Sequence, residues 1–204
     1  QIETAFALAA DAQQRLVTPE QGLARLAAIL ARKPRFGVTA SVVGHMLMTI
    51  GIALCLKPTW EGLGAAAFYG VVVGVLKVFA RNRGMLETLL PTIAAFLVAL
   101  LALSAVRYGI PASPLRALIA SLVTFLPGGV LAIAAMDLAY SDMVSGAARF
   151  VAGLVQLMFL VLGMTMAASI VGLPPESLLV DPQVRLAPWA IWPGMFCFGV
   201  GTLL

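Results

Sequence analysis

Between Leu86 and Val106 the chain reads LETLLPTIAAFLVALLALSAV, with Glu87 its one charge. About 20 apolar residues in a helix cover the roughly 30 Å of hydrocarbon in a bilayer. Polar and apolar residues do not alternate along the run, so it is not a barrel strand. Four more windows share its character: Val38 to Leu56, Gly62 to Phe79, Ala117 to Ala139 and Gly146 to Val171. A further one starts near Pro188 and reaches Leu204. Short charged stretches separate the windows, which is the arrangement of spans and loops. The fold class read from this is all-α: a polytopic transmembrane helical bundle. It has five spans in 37–172, an external loop in 173–187 and the start of a sixth span in 188–204.

Composition agrees. Of 204 residues, 61% are hydrophobic and 11% charged, and the mean hydropathy is +1.02. A soluble domain carries about 25% charged residues. The net charge is +4. Its basic residues flank the apolar windows rather than interleaving with aromatics, so they fit membrane orientation and not nucleic acid. Cys55 and Cys197 both lie in apolar windows, without metal-ligand spacing, and read as membrane-buried thiols. No basic stretch followed by an apolar core marks a signal peptide at the start. The chain begins at Gln1 and stops inside an apolar run, so a segment of a longer protein is expected.

Residues 1–36 are polar enough for water and read as two cytoplasmic amphipathic helices. Ile2, Phe6 and Ala9 share a face of the first. Thr18 caps the second, Pro19 takes its first position and Gln21 completes a capping box. Leu23, Leu26, Ala27 and Leu30 follow at helical spacing. A packed helical pair and a membrane-surface helix both fit. Arg32, Lys33 and Arg35 then suit lipid headgroups.

Orientation follows from Lys and Arg. With the N-terminus in the cytoplasm, Arg32, Lys33, Arg35, Lys77, Arg81, Arg83 and Arg149 lie inside, and Lys57, Arg107, Arg116 and Arg185 outside. The expected location is the cytoplasmic (inner) membrane.

Ionisable groups at membrane depth are costly, so each needs a reason. Four qualify: His45, Lys77, Asp137 and Arg149. Asp137 is able to hold a proton or a substrate ammonium, tuned by Arg149, with Asp142 a turn further on. An interfacial salt bridge fits equally. Pro127-Gly128-Gly129 interrupts the fourth window. Proline removes a donor and opens the helix, and two glycines let the chain turn. Such breaks supply backbone ligands in transporters, and a half-helix starting near Gly129 favours a carboxylate. A simple kink also fits. His45 reads as a proton relay or as a histidine bonded to a neighbouring helix. Lys77 reads as an anchor that snorkels to headgroups.

Ala66, Gly70 and Gly74 form a small-residue packing stripe. Ser41, Ser104, Ser121, Thr124, Gln156, Thr165 and Ser169 either line a path or bond within the helices. No GxSxG, HExxH, P-loop or GxGxxG occurs, and a single histidine makes no histidine-rich metal site. The chain does not read as an enzyme.

Two blocks carry a resemblance: Thr124-Phe-Leu-Pro-Gly-Gly-Val-Leu, and Met136-Asp-Leu-Ala-Tyr-Ser-Asp-Met-Val-Ser-Gly-Ala-Ala-Arg149. They resemble the signature of the threonine/serine exporter family. Leu186-Ala-Pro-Trp-Ala-Ile-Trp-Pro-Gly194 is similar to the start of that family's second half in its actinobacterial form, and Thr18-Pro-Glu to its helical prelude. The resemblance implies a ten-span exporter of small hydroxy amino acids driven by the proton gradient, with no other cofactor. Pro127, Gly128, Asp137, Gly146 and Arg149 carry over. Other relatives are associated with dicarboxylates. The partners the resemblance implies are a threonine- or serine-like solute, the lipid bilayer, a second transmembrane half or a partner subunit, and a homo-oligomer. The contrasting reading is a non-transporting membrane scaffold or assembly subunit.

Overall fold

The computed structural model describes residues 2–14, 17–30, 37–56, 59–81, 83–109, 114–174, 177 and 188–204. Arg32, Lys33, Arg35, Lys57, Arg185 and nearly all of the 173–187 loop lie outside the described residues. The chain divides into two compact units, Gln1–Gly37 and Val38–Leu204.

The first unit is a helical pair, α1 (Ile2–Gln13) and α2 (Pro19–Leu30). The capping box forms: the Gln21 amide donates to Thr18 Oγ1 and the Thr18 amide to Gln21 Oε1, each at 3.4 Å. The facing side chains are Thr4, Ala7, Leu8 and Asp11 of α1 and Arg25, Ala28 and Ile29 of α2. An exposed Arg25–Asp11 ion pair at 3.6 Å joins them. The predicted apolar stripe points elsewhere: Phe6 is 73% exposed and Leu23 68%. The set at 4, 7, 8 and 11 is equally helical in spacing, and its small side chains let the two helices approach.

The second unit contains α3 (Val38–Cys55), α4 (Trp60–Ala80), α5 (Gly84–Arg107), α6 (Pro114–Leu122), α7 (Gly128–Ala139), α8 (Met143–Val171) and α9 (Ile191–Leu203). Among the described residues there is no strand. α3, α4, α5 and α8 are each long and apolar enough to span a membrane, and α6 with α7 passes the same test only as a pair bent at a short break, the geometry of a broken span or a re-entrant loop. Caps set the ends. Thr59 Oγ1 accepts from the Gly62 amide at 3.0 Å, so α4 starts two residues before the expected Gly62. The Asp142 carboxylate accepts from the Ser145 amide, so α8 starts at Met143 and not at Gly146. α8 ends at Gly172, which is left-handed at φ 73° and donates its amide to the Ala168 carbonyl.

Small residues bring these helices together, as expected where lipid supplies no hydrophobic drive between spans. Ala66 is fully buried, and the Ala66–Gly70–Gly74 stripe faces α3. A β-carbon at Gly70 would sit 2.9 Å from Thr49 and one at Gly74 3.2 Å from Val42 Cα. α3 packs on α9 through Gly44 and Gly51 against Gly194 and Gly201. α5 packs on α8 at Gly163, where a β-carbon would run into the Thr92 carbonyl. α7 packs on α8. The core is accordingly alanine-rich, with Ala53, Ala94, Ala95, Ala99 and Ala102 fully buried. Large apolar side chains such as Phe68, Met158, Leu162 and Ile170 face outward, where lipid meets them. Both cysteines are free, and Cys55 is exposed on this outer surface rather than packed inside.

Candidate functional site at the broken span

The break is built by two residues. α6 tightens into a 3-10 turn over Val123–Phe125, Leu126 is extended at φ −70° and ψ 126°, and Pro127 stands at φ −78° and ψ 38°. The axis bends by 56° between the halves. Gly128 and Gly129 do not make the turn: both lie within α7, and neither has positive φ. This corrects the expectation that the glycines permit it. Proline already removes the donor that would continue the helix, and one extended residue completes the change of direction.

What the glycines leave is open space. A β-carbon at either would meet nothing within 4 Å. No side chain caps α7. Its first intrahelical bond runs from the Leu131 amide to the Pro127 carbonyl, so the amides of Gly128, Gly129 and Val130 have no acceptor within the helix.

Breaking the helix also frees carbonyls. In a continuous helix the Phe125 carbonyl would accept from the Gly129 amide. Here Gln156 Nε2, on α8, donates to it at 2.8 Å. Gln156→Leu is expected to strand this carbonyl and cost about 1–3 kcal/mol. Thermal unfolding of the purified variant in detergent measures it, and an unchanged midpoint would deny the clamp a structural role.

Lys77 faces inward. Its Nζ donates to Thr124 Oγ1 at 3.0 Å and lies 4.9 Å from the centroid of the Phe125 ring. This corrects the reading of Lys77 as a headgroup anchor. The sequence did carry the signal: Gly70, Gly74 and Lys77 recur at i, i+4 and i+7, so Lys77 continues the buried stripe of α4. His45, on α3, is 7% exposed. Its Nε2 has no partner among the described residues. His45, Lys77 and Thr124 line one cleft of about 400 Å³, with Ser41, Arg81 and Thr202 among its other walls.

Asp137 belongs to a second cluster. Its Oδ2 lies 3.1 Å from Arg149 Nη1 and accepts from Ser145 Oγ at 3.2 Å. The Asp137 side chain is 23% exposed and that of Arg149 49%. Gly146 permits the approach, since a β-carbon there would strike the Leu138 side chain at 2.7 Å. Asp142 is the exposed cap of α8: its carboxylate accepts from the Ser145 amide, and its own amide donates to the Asp137 carbonyl at 2.8 Å. Asp137 follows Pro127 by about 15 Å of helix, and it does not line the cleft. The structure thus joins Asp137 with Arg149, and His45 with Thr124 and Lys77, but does not merge the two sets. Among the described residues no His, Cys, Asp and Glu cluster forms a metal site.

Sequence reasoning named both Lys77 and Gln156 but did not place Lys77 facing inward on Thr124 or Gln156 on the Phe125 carbonyl. Gln156 had no signal beyond being polar in an apolar helix.

An all-α bundle of membrane spans, one of them broken and flanked by buried polar groups, fits a polytopic membrane transporter. The family model described as "Putative threonine/serine exporter" matches residues 1–171. The chain therefore belongs to the threonine/serine exporter family. Comparison with curated proteins and with solved structures gave no match.

Proposed function

We propose that the protein exports small hydroxy amino acids, threonine and serine, across the cytoplasmic membrane by proton antiport. The observation that carries this reading is the 56° break between α6 and α7, in a chain of the exporter family. The amides at 128–130, without an acceptor inside α7, are backbone donors that the break offers to a solute's oxygen atoms, and the broken span is the element that changes between inward- and outward-open states.

Asp137 is the proton carrier in this reading. Its carboxylate sits at the interface of α7 and α8, against Arg149 and Ser145, which supports that reading. The N-terminus faces the cytoplasm, in line with the Lys and Arg bias. The working unit includes a second transmembrane half, a partner subunit or a second copy of this chain.

Counterflow tests the substrate class apart from the coupling. Proteoliposomes loaded with unlabelled threonine are expected to take up labelled threonine transiently, and to do so with serine inside as well. A trace identical to protein-free liposomes, with the protein folded and inserted, would return the chain to the scaffold reading.

A further inference from the structure

Among the described residues Lys77 has no acid beside it. An ammonium carries three donors, and Thr124 Oγ1 takes one of them at 3.0 Å. Among the described residues no carboxylate pairs with Lys77, or with Arg81 one turn along α4, and no Asp or Glu side chain lines their cleft. A cation held among membrane spans without a counter-charge is expensive, and such groups mark solute or ion sites.

His45 is an independent observation. It is buried to 7% exposure, lines the same cleft and leaves Nε2 without a partner. Orphaned buried polar atoms are rare in native proteins and call for a ligand or a water. The cleft volume of about 400 Å³ falls in the range of about 300–1,000 Å³ typical of small-molecule sites.

We propose that this cleft binds the carboxylate of a small solute, with Lys77 Nζ and Thr124 Oγ1 as its donors and Arg81 adding positive charge at the rim. Thr124 stands three residues before Pro127, so a carboxylate bound there is coupled to the geometry of the break. The identification of that solute as threonine rests on the exporter reading; the carboxylate site does not.

The test is isothermal titration of the full-length protein in nanodiscs with three compounds. These are threonine, beta-hydroxybutyrate, which keeps the carboxylate and hydroxyl, and threoninol, which lacks the carboxylate. Wild type is expected to bind the first two and not threoninol. Lys77→Met is expected to weaken both by about 10- to 100-fold, the loss of a charge-assisted hydrogen bond. Thr124→Val is expected to weaken both by about tenfold or less, the loss of one neutral donor. It also reports on the cleft should Lys77→Met not fold.

Wild-type affinity for beta-hydroxybutyrate in folded Lys77→Met and Thr124→Val proteins would overturn the site, as would failure of wild type to bind any carboxylate. Lys77-dependent binding of beta-hydroxybutyrate without binding or flux of threonine would keep the site and remove the amino-acid reading. Threonine flux indifferent to both variants would do the reverse.

Discussion

Asp137→Asn is expected to abolish proton-driven threonine efflux, by 100-fold or more, which corresponds to about 3 kcal/mol in barrier height. Asparagine keeps the shape and one acceptor oxygen, so the Ser145 Oγ contact at 3.2 Å survives. It cannot carry the proton, and it removes the charge facing Arg149 at 3.1 Å. A salt bridge that merely ties α7 to α8 makes a different set of outcomes. In that case Arg149→Gln and Asp137→Asn would lower stability alike, and exchanging the two residues would restore it. Because Arg149 is half exposed, solvent screens the pair and its contribution to stability is small. Counterflow moves no net proton, so it is expected to persist in Asp137→Asn while gradient-driven efflux is lost. Efflux at the wild-type rate in a folded Asp137→Asn protein would take Asp137 out of the mechanism.

The second large effect concerns the fold. Gly51→Ala is expected to undock α9 from α3. An added β-carbon would stand 2.5 Å from the Phe198 amide nitrogen, 2.6 Å from the Gly194 carbonyl oxygen and 2.8 Å from Phe198 Cα. All three are backbone atoms, so no side chain can swing aside. Overpacking of this kind costs about 1–3 kcal/mol and occasionally more. Alanine's helix propensity returns at most about 1 kcal/mol. Gly64→Ala is the control, because a β-carbon there meets nothing within 4 Å, and it is expected to be neutral or slightly stabilising. Thermal unfolding with proteolysis of α9 reads the difference. Equal midpoints for the two variants would mean that α3 and α9 are not in glycine contact.

The spans were legible because lipid imposes a length and a composition that no soluble fold shares, and Leu86–Val106 alone meets both. Their ends were less so, since Thr59 and Asp142 act as caps through side-chain geometry that hydropathy does not register. The break at Pro127 was legible from proline chemistry, but its construction was not. The turn falls on Leu126 and Pro127, and the glycines lie within α7, where an added β-carbon would meet nothing within 4 Å. The glycine contacts between α3 and α9 join residues nearly 150 positions apart in sequence, and nothing local announces a pairing at that separation. Lys77 was legible from the face it shares with Gly70 and Gly74; there the hydrogen bond to Thr124 and the Phe125 ring hold it inward, against the tendency of lysine near a helix end to snorkel. The Asp137–Arg149 pair followed from the motif itself, because both residues flank one tight turn between consecutive helices.

The most direct measurement is threonine efflux from proteoliposomes holding the full-length protein, with and without an imposed proton gradient. The account expects efflux that accelerates with the gradient and is matched by proton movement in the opposite direction. Efflux no faster than from protein-free liposomes under either condition, with insertion and folding verified, would contradict it.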